Sequence, residues 1–243
     1  MFSGFANFDA DLGGWDVSKA TSMRMMFQSC VRFRGRGLES WDVSSVTDMT
    51  HMFECNFALD AFLGSWDVSS VRNMTGLFIG AIAMKGEGIS AWNVANVTDM
   101  SSIFSRASSF NEPNLGKWNV AAVERVGGAL RGATKFAQPL NDWDLSKAFN
   151  TWRDEISRSP ARPFFLTFDT FMCHILCDTD IYSDDPGVCK LSRALWPRDP
   201  TKKTTEGHIA VSPVSRASAS KSPPWTVEST EMLSGLSREP LPS

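Results

Sequence analysis

The chain has 243 residues, 42% of them hydrophobic, with 24 Lys and Arg against 27 Asp and Glu and a net charge of -3. That length and composition can bury a core and suggest one or two domains, while the near-balanced charge leaves no electrostatic footprint for nucleic acid. No stretch approaches the roughly 18 apolar residues that would span a bilayer; the richest run, 164 to 177, is short and interrupted by Asp169.

Met1 and Phe2 match the Met-Phe columns of the repeat that follows, so the chain is expected to begin partway through a copy, and its first residues show no basic region followed by an apolar core. Trp15, Trp41, Trp66, Trp92, Trp118 and Trp143 then recur at gaps of 26, 25, 26, 26 and 25 residues. Such in-phase self-similarity marks a stacked repeat array. Three residues before each Trp lies Leu12, Leu38, Leu63, Ile89, Leu115 or Leu140, and one after it Asp16, Asp42, Asp67, Asn93, Asn119 or Asp144. Val17, Val43, Val68, Val94, Val120 and Leu145 follow in the next column.

Within each copy, Val46, Met49, Met52 and Phe53 are matched by Val71, Met74, Leu77 and Phe78, and by Val97, Met100, Ile103 and Phe104. Spacing of i, i+3, i+6 and i+7 predicts one face of a short helix, with Thr47 and Asp48 at its start as cap and dipole partner. The Trp-Asp-Val stretch, with its β-favouring residues, is expected to be the extended piece. One copy cannot bury an indole, two aliphatics and a Phe alone. Stacking in register would put Trp on Trp and Phe on Phe, with extended pieces about 4.7 to 4.9 Å apart and six rungs spanning roughly 25 to 30 Å. Trp15, Trp41, Trp66, Trp92, Trp118 and Trp143, with Phe27, Phe53, Phe78 and Phe104, are therefore the expected structural ladder.

The one-residue difference between copies falls in a single interval: Phe33 to Leu38 is five steps and Leu59 to Leu63 is four. A surface loop tolerates this and a packed element does not; Gly35, Gly37, Gly86, Gly88 and Pro113 lie in or beside it. The basic cluster Arg32, Arg34 and Arg36 sits in that loop beside Phe33, which makes these three residues the candidate partner-binding positions, with plain solvated charge as the alternative.

Other polar features carry less. The Asp/Asn column beside the Trp would offer a row of carboxylates to calcium, but the exchange of Asp67 for Asn93 fits local capping of backbone N–H groups better. Cys30 and Cys55 are offset by one column and read as small core fillers, with an inter-rung disulfide as the alternative. Cys173, His174, Cys177 and Cys189 lack the close paired spacing of a zinc finger. The sequons at Asn73 and Asn96 arise from columns rich in Asn and Thr. His51, His174 and His208 have no Ser, Cys or carboxylate at a motif spacing, so no catalytic triad is supported.

The recurrent WDVSSVTDMTHMF at 41 to 53, with WDVSSVRNMTGLF and WNVANVTDMSSIF after it, resembles the repeat of BspA-like leucine-rich-repeat surface proteins, whose close variant is the domain of unknown function in mycoplasmal lipoproteins. The resemblance covers residues 1 to 150. It implies an α/β solenoid, leucine-rich-repeat-like, of five to six 25/26-residue repeats, with a role in surface recognition or adhesion and no catalytic residue; from the residues themselves no cofactor or metal is expected. The chain departs from the pattern at Val126, Gly127, Gly128 and Ala129, and again at Thr151 and Glu155, as an array decaying toward its C-terminal end would.

Beyond residue 150 the periodicity stops. Residues 151 to 196 are expected to form either a cap over the last rung or a loose segment, and 197 to 243, with seven of the 12 prolines among Ser, Thr and Lys, a disordered tail. The expected function is a non-catalytic recognition or adhesion module binding an unknown protein or glycan, at the cell surface if an upstream segment supplies an export signal. The alternatives are an intracellular scaffold or interaction array, and an enzyme with its site in 151 to 196.

Overall fold

Why these residues do not form the expected helix is visible in their backbone angles. In a computed structural model, which describes residues 1 to 157, the segment between Val and Phe of each copy is a run of consecutive tight turns. Two columns in it adopt left-handed backbone: Met25, His51, Gly76, Ser102 and Gly128 at φ 54 to 64, and Gly4, Ser29, Cys55, Gly80, Arg106 and Gly132 at φ 56 to 82. Left-handed residues four apart break any α-helix and turn every second N–H sideways. Those N–H groups bond the next copy: Met23, Met25, Phe27 and Ser29 donate to the carbonyls of Asp48, Thr50, Met52 and Glu54 at 2.7 to 3.0 Å. The same four positions bridge the Trp41 copy to the Trp66 copy, and so on to Arg106 and Arg131.

The expected α/β leucine-rich-repeat solenoid is therefore overturned. Among the described residues there is no sheet, and parallel pairing is reduced to the isolated bridges Ser22 to Asp48, Asp48 to Asn73, Asn73 to Asp99 and Asp99 to Arg125. Extended pairing thus sits at the Val-x-Asp step and not at Trp-Asp-Val, which makes no bridge. The apolar spacing misled because a ladder of turns and a short helix both return a side chain to the same face every three or four residues.

Packing between copies fills the interior. The indoles of Trp41, Trp66, Trp92, Trp118 and Trp143 stack with centroids 6.3 to 6.5 Å apart and planes within 5°. Phe2, Phe27, Phe53, Phe78 and Phe104 stack at 5.7 to 5.8 Å, and Leu130 continues their column, buried. These distances lie in the favourable range for offset aromatic pairs. Trp15 stands apart, 39% exposed, and packs on Phe2.

Each indole also carries a bond that the burial pattern alone does not reveal. Trp41, Trp66, Trp92, Trp118 and Trp143 donate Nε1–H to the carbonyls of Leu12, Leu38, Leu63, Ile89 and Leu115 in the preceding copy, at 2.7 to 3.0 Å. The same carbonyls accept the backbone N–H of Trp15, Trp41, Trp66, Trp92 and Trp118. Both lone pairs are used, so Trp rather than another aromatic belongs at this column.

The one-residue insertion has a structural meaning. Copies with five steps between the loop marker and the Leu column wind a 3-10 turn there, Leu38–Ser40, Ile89–Ala91 and Leu115–Lys117, each preceded by a left-handed Gly37, Gly88 or Asn114. After Trp143 the ladder gives way to one helix, α1, Ser146–Ser157. Leu145, just before it, and Ala148 and Phe149 within it are buried, and Trp152 packs against the same core. The ladder thus ends before residue 150, and α1 crosses into the stretch expected as a cap. The remaining residues of 151 to 196 and the tail 197 to 243 lie outside the described residues.

Candidate functional site

Working outward from the buried Phe column, each copy runs through a small buried residue, two positions that are half-buried or exposed, and then the buried loop marker Phe33, Leu59, Met84, Phe110 or Phe136. The residue after that marker forms a column of its own: Asp9, Arg34, Asp60, Lys85, Asn111 and Ala137. Neighbours in it are tied together. Asp9 Oδ1 accepts the Arg34 N–H at 3.1 Å, Lys85 Nζ pairs with Asp60 Oδ2 at 3.0 Å, and Asn111 Oδ1 accepts the Ala137 N–H at 3.0 Å. The hydrogen bond that Lys85 donates to Asp60 holds its ammonium above the ordinary pKa.

Of the three nominated arginines, Arg36 is committed: its guanidinium donates to the Asp9 carbonyl at 2.7 Å and lies 3.5 Å from Asp9 Oδ2. Arg32 and Arg34 are exposed, bonded through their backbone N–H to Ala6 and Asp9, and neither guanidinium has a carboxylate partner among the described residues. The three do not converge on one point. Arg34 and Arg36, but not Arg32, line an open groove together with the carboxylates of Asp11, Glu39 and Asp60 and with the small residues Gly35, Gly37, Ala58, Ala61 and Ala83.

Sequence reasoning missed the apolar part of this edge. Four residues after each member of the column Phe2, Phe27, Phe53, Phe78, Phe104 and Leu130 stand Ala6, Val31, Phe57, Ile82, Ser108 and Thr134, and Phe57 and Ile82 are each 45% exposed. The signal was present in the aligned columns. It is masked in the linear sequence because Phe57 and Ile82 look like members of the core pattern. Phe62, 54% exposed, lies over the Gly64 and Gly88 backbone, where a Cβ on either glycine would strike its ring.

The Asp/Asn column is a row of local turns. Asp16, Asp42 and Asp144 Oδ1 accept both the N–H and the hydroxyl of Ser18, Ser44 and Ser146, at 3.0 and 2.6 Å, while Asn93 and Asn119 accept only the N–H of Ala95 and Ala121. Bonds from the serine hydroxyl and then the serine N–H lower the pKa of Asp16, Asp42 and Asp67. A carboxyl held below its unfolded value near 3.9 stabilises the fold above that pH and ceases to do so as pH falls through the folded value. The urea midpoint should therefore drop below about pH 4, and the combined Asp16→Asn, Asp42→Asn and Asp67→Asn variant should show a shallower drop. Identical pH profiles for the variant and the native chain would remove these turns from the acid response.

Asp99 behaves differently. Burial pushes its pKa up, but Arg125 Nε at 2.7 Å together with Ser101 and Thr75 outweighs that and leaves it lowered. Cys30 and Cys55 are free thiols with no disulfide between them, each raised in pKa by burial. Asn73 spends its side-chain oxygen on the Thr75 N–H, and the exposed Asn96 donates to the Ser69 carbonyl. His51 Nδ1 lies 3.1 Å from Glu54 Oε2. No group of three His, Cys, Asp or Glu residues able to hold a metal ion occurs among the described residues, and no helix among them is long and apolar enough to cross a membrane. Cys173, His174, Cys177, Cys189 and His208 lie outside the described residues.

No curated protein and no solved structure matches the chain. A family model does, that of "Mycoplasma protein of unknown function, DUF285", over residues 1–87 and again over 56–158. It corresponds to the mycoplasmal variant of the resemblance drawn above, and nothing in the match extends to the leucine-rich-repeat surface proteins. The two matched stretches together take in the whole turn ladder and all of α1, and the chain belongs to this repeat family, DUF285.

Proposed function

We propose that the chain is a non-catalytic recognition module that binds its partner along the loop edge and is displayed at a cell surface. One observation carries this reading: the loop edge sets large apolar side chains, Phe57 and Ile82, each 45% exposed, on neighbouring copies, with the exposed Arg32 and Arg34 in the copy before them. An array serving only as a spacer would have no need of large apolar side chains in water on adjacent copies.

Purified chain should bind members of a combined panel of immobilised glycans and displayed peptides. The combined Arg32→Glu, Arg34→Glu and Phe57→Ser variant should lose that binding by about tenfold or more with its folded spectrum unchanged. Binding that survives the variant would refute the loop-edge assignment, and a panel with no binder would refute the recognition role. Surface display is tested separately, by antibody labelling of intact cells producing the full-length gene product; labelling only after permeabilisation would favour an intracellular scaffold.

A further inference from the structure

We infer that the loop edge takes an amphipathic α-helix of a partner protein, laid along the stacking direction, with apolar residues on the Val31, Phe57 and Ile82 stripe and a carboxylate toward Arg32 and Arg34. This rests on the recognition role proposed above and specifies its partner.

Three features on one edge point to such an occupant. The stripe is bounded: the same column carries Ala6 on one side and Ser108 and Thr134 on the other, so large apolar residues occupy three consecutive copies only. Phe57 and Ile82 are each 45% exposed and Val31 is half-buried, while Phe27, Phe53 and Phe78 of the same copies are fully buried. Beside the stripe the next column is Arg32, Ala58 and Ala83, small enough at two of its three positions to let another backbone approach.

The spacing selects the kind of segment. Rings of the loop-marker column, two residues further along each copy, lie 5.3 Å apart at Phe8 and Phe33 and 5.5 Å apart at Phe110 and Phe136. An α-helix advances about 5.4 Å per turn and offers one side chain per turn at i, i+4 and i+7. Its apolar row would keep step with copies at that spacing. An extended strand offers same-face side chains about 6.6 to 6.8 Å apart and would slip by more than an ångström per copy.

Charge selects its flank. Arg36 is held by Asp9 and Lys85 by Asp60, whereas Arg32 has the uncharged Asn7 and Ala58 as column neighbours; Arg34 lies between the engaged Asp9 and Asp60 in its column and shares its groove with Asp11 and Glu39. Two guanidiniums adjoining an apolar stripe complement a helix with an acidic margin. A glycan is disfavoured on the stripe itself, since Val, Phe and Ile offer its hydroxyls no hydrogen bond in exchange for lost water.

The test is selection from a displayed library of helix-forming peptides on the immobilised full chain, run in parallel with a glycan array. Selected sequences should converge on apolar residues at i, i+3 or i+4, and i+7 with Asp or Glu on one flank. The Phe57→Ser and Ile82→Ser pair should weaken binding by about tenfold or more, and Arg32→Glu should lose the acidic peptide while gaining its Lys-substituted counterpart. Near-ultraviolet spectra of the stacked indoles confirm that each variant is folded. Selection of extended or Pro-rich peptides, insensitivity to both substitutions, or a concentration-dependent dimer abolished by Ile82→Ser would each overturn the helix assignment. Glycan binding lost in the same variants would overturn it too while leaving the recognition role standing. Failure of both peptides and glycans would remove both.

Discussion

Replacing Trp66 with Ala is expected to lower unfolding stability by about 3 to 5 kcal/mol, the range for truncating a buried aromatic side chain, read as a shift of the urea or thermal midpoint. Trp66 is 3% exposed and its ring stacks on both Trp41 and Trp92, so truncation opens a void that faces two neighbours. Trp66→Phe separates the ring from its donor. The Phe keeps most of the apolar area but abandons the Leu38 carbonyl to the single backbone bond from Trp41, which costs about 1 kcal/mol for the hydrogen bond plus the packing lost with the smaller ring. A Trp66→Phe variant as stable as the native chain would show that the indole bond contributes nothing. An unchanged midpoint for Trp66→Ala would remove this column from the core.

The second large effect is expected at Gly37. Its backbone is left-handed at φ 85, and a methyl there would overlap the Gly13 nitrogen and come within 2.6 Å of Gly13 Cα and Asp11 Oδ1. The obstacle is backbone, which cannot swing aside. Gly37→Ala should cost about 2 to 5 kcal/mol, from left-handed strain and overpacking together. Gly80→Asn should cost less than about 1 kcal/mol, since Gly80 shares its column with left-handed Ser29, Cys55 and Arg106 and the nearest atom to an added Cβ is 3.7 Å away. Equal midpoints for the two variants would mean that the close approach of Gly37 to Gly13 carries no weight.

How far the chain could be read without coordinates depends on which interaction each residue serves. Side-chain burial is periodic, and the columns of Leu, Trp, Val, Met and Phe show it directly. Backbone conformation is not periodic in residue type. The left-handed columns hold Met25, His51 and Ser102 as well as Gly76 and Gly128, so no glycine signature announced them and the apolar spacing was assigned to a helix. The α/β architecture failed for that reason: cross-copy bonding comes from turns whose residues carry no strand signal. The Asp column was legible as turn chemistry because Asn replaces Asp within it, whereas the indole bond to the preceding Leu carbonyl joins residues 28 or 29 apart and has no local mark. On the loop edge, Arg32, Arg34 and Arg36 were conspicuous as charge. The structure shows that Asp9 occupies Arg36, and the aligned columns place Val31, Phe57 and Ile82 at one position of three consecutive copies.

Because each copy hands four N–H groups to the copy after it and receives the same from the copy before, adjacent units are joined by interchangeable seams. Excising a whole unit, from Asp67 through the 26 residues that end at Trp92, would rejoin donors to equivalent acceptors and leave a shorter protein with the same interior. Genetic slippage by one unit is therefore structurally cheap in this array, while slippage by any other length is not. Only the stretch from Ser146, where a helix keeps its own bonds to itself, closes the series to further members.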